Sequence, residues 1–213
     1  MRKVLVGGAL LILISGAALL TPTIRDLIST KQTPAKVVAS KTQTKVTKPR
    51  NPKTHDFSDV DYAQKKLIHH QLGAMITDKA KTDATKPEIR QLAEQVSSQE
   101  TERASVYAAL LTSWNESYLN ITDFPETGGC NGYPTFSGML PHLDVGKYRL
   151  SNGESVDTTF LTLLIEDHKK ATDLVKLEGA KIGYGELVKL REASQKEYKA
   201  EISTFERLQK SIL

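Results

Sequence analysis

Three of the chain's five histidines fall in two stretches that read alike. Leu67-Ile68-His69-His70-Gln71-Leu72-Gly73-Ala74 and Leu164-Ile165-Glu166-Asp167-His168-Lys169-Lys170-Ala171 share an apolar pair, an imidazole two or three residues later, and an alanine. The pattern recurs about 97 residues on, each time beside an apolar helical stripe, which is the mark of two related helical hairpins facing one another. Imidazoles brought together in that way can hold a metal ion.

His70 lies on the stripe Ala63, Leu67, Ala74. His168 stands between Leu164 and Ala171 on one side and Ile165 and Val175 on the other, with Asp167 adjacent. Imidazoles from two hairpins suit a borderline ion such as zinc or copper(II), with Asp167, Glu166 or His69 completing the shell and Met139 or His142 closing it from the middle of the chain. Copper(I) calls instead for sulfur, from Met75, Met139 or Cys130. The plainer reading of a histidine on an apolar face is a core residue bonded to a carboxylate or a backbone carbonyl.

Other chemistries find no support. Di-iron carboxylate bundles use Glu-x-x-His, and no Glu here has a His three residues on. There is no His-Glu-x-x-His, Gly-x-Ser-x-Gly, phosphate-binding glycine loop or Cys-x-x-Cys. Cys130 sits in Gly-Gly-Cys-Asn-Gly, a turn, and a lone cysteine forms no internal disulfide. An enzyme is not expected.

Four helices must position these residues. Ser58 can cap the first, with Asp61 three residues on, and the helix runs to about Lys81. Pro87 suits the first turn of a second, whose stripe is Ile89, Leu92, Val96, Val106 and Leu110, and which ends near 114–118. Asp157 can cap a third, continuing to about Ile182, and after Gly183 and Gly185 a fourth carries Leu187, Leu190, Tyr198, Ile202, Phe205, Leu208 and Ile212. Short turns force antiparallel hairpins, 57–118 and 157–213, and two amphipathic hairpins bury their stripes best as an all-α four-helix bundle. The segment 119–156 between them, with aromatics Phe124, Tyr133 and Phe136, reads as a packed irregular crossover.

Ahead of this domain, 57–213, lies a different kind of chain. Residues 4–20 carry no charge and follow Arg2 and Lys3, so 1–22 reads as a signal peptide, with a small-x-small site at Ser15-Gly16-Ala17, or as an uncleaved membrane anchor. Either fate places the domain outside the cytoplasm, secreted or on the outward face of the cell membrane. Residues 23–56 form a basic linker of Thr, Pro and Lys that cannot bury a core, a disordered tether able to graze anionic lipid or cell-wall polymer. The formal net charge of +4 therefore does not point to nucleic acid, because its surplus sits in that tether.

The two stretches, together with Asp157-Thr158-Thr159-Phe160-Leu161 before the second and Pro87-Glu88-Ile89-Arg90-Gln91-Leu92-Ala93 with Gln99 and Glu102 after the first, resemble the bacterial ferritin-like family known as domain of unknown function 305. Glu201-Ile202 with Phe205 fits the last partner helix. The resemblance implies a secreted or envelope-held four-helix domain, some members of which are linked to copper through His and Met. It sets His70 and Gln71 on the family's first histidine pair, and Asp167 and His168 on its second, so each half keeps one. The family's methionine positions hold Thr77, Val106, Leu174 and Phe205. The expectation is thus a tethered bundle that binds copper or zinc for storage, buffering or sensing. Its rival is a metal-free scaffold for a protein or cell-wall partner.

Overall fold

The computed structural model describes residues 53–124, 126–127, 130–131, 133–134 and 136–212. The expected signal or anchor, 1–22, and nearly all of the linker 23–56 lie outside the described residues. Among the described residues no helix is long and apolar enough to cross a membrane.

The first helix, α1 (Phe57–Asp83), is capped two residues earlier than expected. Asp56, not Ser58, fills that place. Its carboxylate accepts the backbone N–H groups of Ser58 (2.8 Å) and Asp59 (3.3 Å), and Asp59 accepts the Asp56 N–H in return (3.0 Å). An acid is favoured there because it also meets the positive end of the helix. The other carboxylate oxygen of Asp59 accepts the N–H groups of Gly183 (2.8 Å) and Tyr184 (3.1 Å), fastening the start of α1 to the turn between the last two helices.

Pro87 opens α2 (Pro87–Ser113), where its missing N–H leaves nothing unpaired. The crossover holds a 3₁₀ turn (Ile121–Asp123) and two-residue antiparallel strands β1 (Glu126–Thr127) and β2 (Cys130–Asn131). It then forms a helix, α3 (His142–Leu150), which the irregular reading passed over. Its signals were present in Pro141, in Asp144 of the first turn and in Lys147 and Arg149 of the last. Val145 and Tyr148 bury its inner face, and the Tyr148 hydroxyl donates to the Ile76 carbonyl (3.1 Å).

Next comes α4 (Glu154–Leu177), which starts before Asp157 because Gly153, at φ 58°, makes the turn into it. Asp157 is fully buried and does not cap α4. It accepts the Thr85 N–H (2.9 Å) and the Thr85 hydroxyl, so it holds the α1–α2 turn from across the domain. Asp157→Ala strands both donors and is expected to cost about 1–3 kcal/mol, read as a lower urea midpoint with an unchanged slope.

The last helix is α5 (Gly185–Ile212). Among the described residues the regular structure is therefore helical apart from the two short strands: α1 folds back on α2, α4 on α5, and α1 also packs on α4. Leu72, Ile76, Ile89, Leu140, Phe160 and Leu161 lie in the main apolar cluster, while Ala171, Val175 and Tyr198 form a smaller one. Along α4 the pair Asp167 and His168 falls between the two.

Candidate metal centre

Followed at three- and four-residue steps, the buried stripe of each long helix is interrupted by polar side chains. On α1 it runs Tyr62, Lys66, His69, Gly73, Ile76; on α2, Val96, Glu100, Arg103, Tyr107. On α4 Asp167 and His168 hold the matching place, and on α5 Tyr198 with Glu201 at the stripe's edge. Lys66, His69, His70, Glu100, Asp167 and His168 are all at most 1% exposed. A polar layer thus crosses the interior.

Charged contacts join all four helices within it. His168 Nε2 lies 3.1 Å from Glu201, Glu201 accepts from Arg103 (2.6 Å), Arg103 donates to Glu100 (2.7 Å), and Glu100 meets His70 Nδ1 (2.7 Å). Glu100 fits because α1 has Gly73 opposite it, where a Cβ would come within 2.9 Å of its Oε2. Lys66 donates to the Tyr198 hydroxyl. The halves repeat one residue out of the register read from sequence: His69 and His70, not His70 and Gln71, correspond to Asp167 and His168, and Glu100 to Glu201.

Protonation follows from this surrounding. Burial, with Lys66 adding to it, pushes His70 down to about 3, and burial takes His69 well below the ordinary imidazole range. Burial pushes Glu100 up, but His70 and Arg103 outweigh it and hold the carboxyl well below its usual value. Burial raises Asp167 to about 7 against the pull of His168. For His168 burial acts downward, and the adjoining Glu201 carboxylate outweighs it and raises the ring. His70 is therefore neutral, with its Nδ1–H donating to the Glu100 carboxylate, which leaves the lone pair on Nε2.

Among the described residues that nitrogen has no hydrogen-bond partner, and neither do the two ring nitrogens of His69, the two oxygens of Asp167 or Nε2 of His168. His69 Nε2 faces Asp167 Oδ2 at 3.5 Å, long for a hydrogen bond. One ligand atom each of His69, His70 and Glu100 lies within 4.8 Å of the others. Buried polar atoms left open in one place are costly, so a donor set of imidazole and carboxylate fits a borderline divalent ion on the chemistry of the groups themselves.

Of the residues named from sequence, His69, His70, Asp167 and His168 lie in the layer. His168 is bonded at Nδ1, 3.0 Å from the Leu164 carbonyl, and its Nε2 meets Glu201 at 3.1 Å as an ion pair outside hydrogen-bond geometry. Glu166 is exposed and pairs with Lys170 (3.7 Å). Met139 is packed in the main apolar cluster, and His142 heads α3 with Nε2 2.7 Å from the Tyr133 carbonyl. Gln71 serves the crossover, donating to Asn120 (2.7 Å) and accepting from the Ile121 N–H (2.8 Å). Sequence reasoning missed Lys66, Glu100, Arg103 and Tyr198 as members of the layer. Their signal was position: Ile89, Ala93, Val96, Glu100, Arg103, Tyr107 and Leu110 keep one unbroken helical rhythm.

A consequence for acid stability follows. The two neutral imidazoles of the α1 pair take up protons near pH 6.5 once unfolded but far lower when folded, so acid favours unfolding through two groups. Asp167, raised to about 7, binds its proton in the folded state and opposes through one. Net stability of the metal-free protein should fall by about 1–3 kcal/mol as pH drops from 6.5 to 4.5. Urea midpoints at the two pH values check this.

A family model described as a domain of unknown function, DUF305, matches residues 59–209. Three solved structures resemble this fold. One is a DUF305 fragment from Deinococcus radiodurans, 19% identical, at TM-score 0.60 over 74% of this chain and 98% of that one. A second is a DUF305 protein from Streptomyces coelicolor provisionally described as secreted, 17% identical, at 0.58 over 71% and 91%. The third is CopM in the copper(II)-bound form, 17% identical, at 0.55 over 73% and 97%. No curated protein matches the chain.

Proposed function

The chain belongs to the DUF305 family, and from that premise we propose that it is an extracytoplasmic metal-binding protein. Its four long helices make a ferritin-like four-helix bundle that works outside the cytoplasm. The bundle stores, buffers or senses a divalent transition metal, copper(II) or zinc(II), without catalysis. The secreted description of the Streptomyces coelicolor protein and the copper(II) bound to CopM support this reading by analogy of fold.

One observation carries it: a ligand atom each of His69, His70 and Glu100 lies within 4.8 Å of the others in the interior, with Asp167 facing His69 at 3.5 Å. Ligands held about 2.0–2.1 Å from a tetrahedral ion stand about 3.4 Å apart, close to the spacing of His69 and Asp167. His69, His70 and Glu100 would hold the ion, and Asp167, beside His69, would complete the shell. An ion there would supply positive charge between α1, α2 and α4. A donor set without sulfur favours the divalent ions over copper(I).

A second reading draws on Arg103 and Lys66. The buried Arg103 guanidinium already meets the acids of the layer, and Lys66, lowered by burial to about 7, adds charge below neutral pH, so the bundle can stand as a metal-free scaffold whose polar layer only fixes how the helices meet. Calorimetric titration of the purified chain with zinc(II) and copper(II) separates the two. Binding at micromolar Kd or tighter, with a melting temperature that rises on loading and falls back with chelator, is the expected result. No heat of binding and an unchanged melt would leave the scaffold.

A further inference from the structure

We infer that Lys66 sets how readily the layer fills, because its buried ammonium is a built-in competitor for the negative charge on which a divalent ion depends. The inference rests on the metal reading above and names a control on that same site.

Lys66 precedes His69 and His70 by one turn of α1 and is fully buried. Arg103, the other cation of the layer, is divided among Glu100, Glu197 and Glu201. Lys66 is placed differently. Among the described residues its hydrogen-bond partner is the neutral Tyr198 phenol, and its ammonium lies over the rings of Tyr198 (4.6 Å) and Tyr107 (5.9 Å). Those two rings also line the histidines: Tyr198 lies 6.2 Å from the His69 ring, and Tyr107 stacks on His70 at 5.5 Å. The ammonium is therefore within about 11 Å of both imidazoles, with no protein charge of opposite sign directly bonded to it among the described residues, and its field falls on the ligands. Burial lowers Lys66 to about 7, so this charge is fully present below neutral pH.

Helix packing alone does not call for a cation there. The matching position in the second half, four residues before His168, is Leu164, equally buried. Lysine at 66 is thus an addition to a place that leucine fills well. A unit charge about 10 Å from a divalent ion, at an effective dielectric near 20, opposes it on the order of a hundredfold, of which roughly thirtyfold is felt at pH 5.5, since the ammonium, lowered by burial to about 7, gives up its proton beyond that. The consequence is a centre that stays closed to trace metal and loads when supply is high.

The test compares the full chain with Lys66→Met and Lys66→Leu, using zinc(II) and monovalent silver(I) as the probes in calorimetric titrations. Far-ultraviolet circular dichroism checks that each variant is folded. At pH 5.5, where Lys66 is charged, either neutral variant should bind zinc(II) at least tenfold more tightly. Silver(I) should gain clearly less, because the repulsion scales with the charge of the ion. Binding of zinc(II) by the variants alone would also support the inference, as the ammonium would then exclude the ion outright. Zinc(II) affinity that is unchanged or weaker in the variants would overturn the role of Lys66 and leave the metal centre standing. An equal gain for both ions would overturn it too, by showing relief of packing and not of charge. Absence of binding by any of the three proteins would overturn the metal centre and this control together.

Discussion

His70→Ala is expected to weaken zinc(II) and copper(II) binding by at least a hundredfold, which corresponds to about 2.7 kcal/mol of binding free energy. The loss is large because His70 is a pre-set donor. Its Nδ1 is held by Glu100 at 2.7 Å, burial keeps the ring neutral, and the lone pair at Nε2 has no other partner. No rotation or deprotonation is needed before it can bind. His69→Ala should act in the same direction, since its ring faces Asp167 across the α1–α4 contact. Glu166→Ala is the control and should change nothing, because that carboxylate is exposed and pairs with Lys170. Calorimetry on the three variants decides the matter, and full affinity in His70→Ala would refute the assignment.

Glu100→Ala is expected to lower the stability of the metal-free protein by about 3–5 kcal/mol, against a total of about 5–15 kcal/mol for an ordinary domain. The change removes the acceptor for both Arg103 and the His70 N–H, leaving a guanidinium and a donor in the interior. Glu100→Gln should cost less, since an amide oxygen can still accept one of the two bonds. Glu201→Ala should also cost less. That side chain is 18% exposed, and Glu197 stays 3.2 Å from Arg103 to take up part of the charge. Urea unfolding in the presence of chelator gives the order directly. Equal losses for Glu100→Ala and Glu201→Ala would show that the chain of contacts has no interior anchor at Glu100.

Much of the helical plan could be read from the residues alone. Pro87 and the glycines at 183 and 185 are strong punctuation, and the stripes between them are long. Helix starts were harder. Asp56 and Ser58 both suit a cap, and only the reciprocal bond from Asp59 separates them; Asp157 looks like a cap until its partner Thr85, 72 residues away, is seen. Long-range partners of that sort leave no trace in local spacing. The short helix α3 was hidden because only Val145 and Tyr148 give it an inner face.

The candidate site was legible in outline. The repeat pointed to His69, His70, Asp167 and His168 because a polar group on an apolar stripe is conspicuous. Glu100 and Arg103 lie on such a stripe too, but an acid three residues before a base reads first as an exposed ion pair. What no spacing could show is how the layer is shared: His168 is occupied by Glu201, whereas Asp167 and His69 are left to face each other.

The likeness of the two halves stops short at the residues that neutralise charge. Arg103, which serves carboxylates from both halves, has Thr204 at the corresponding place, and Lys66 has Leu164. Two copies of the first hairpin would set lysine against lysine, and two copies of the second would leave Glu201 without a guanidinium. Each hairpin is thus an obligate mate of the other. Whatever symmetry they share, neither can be discarded, doubled or swapped for its twin.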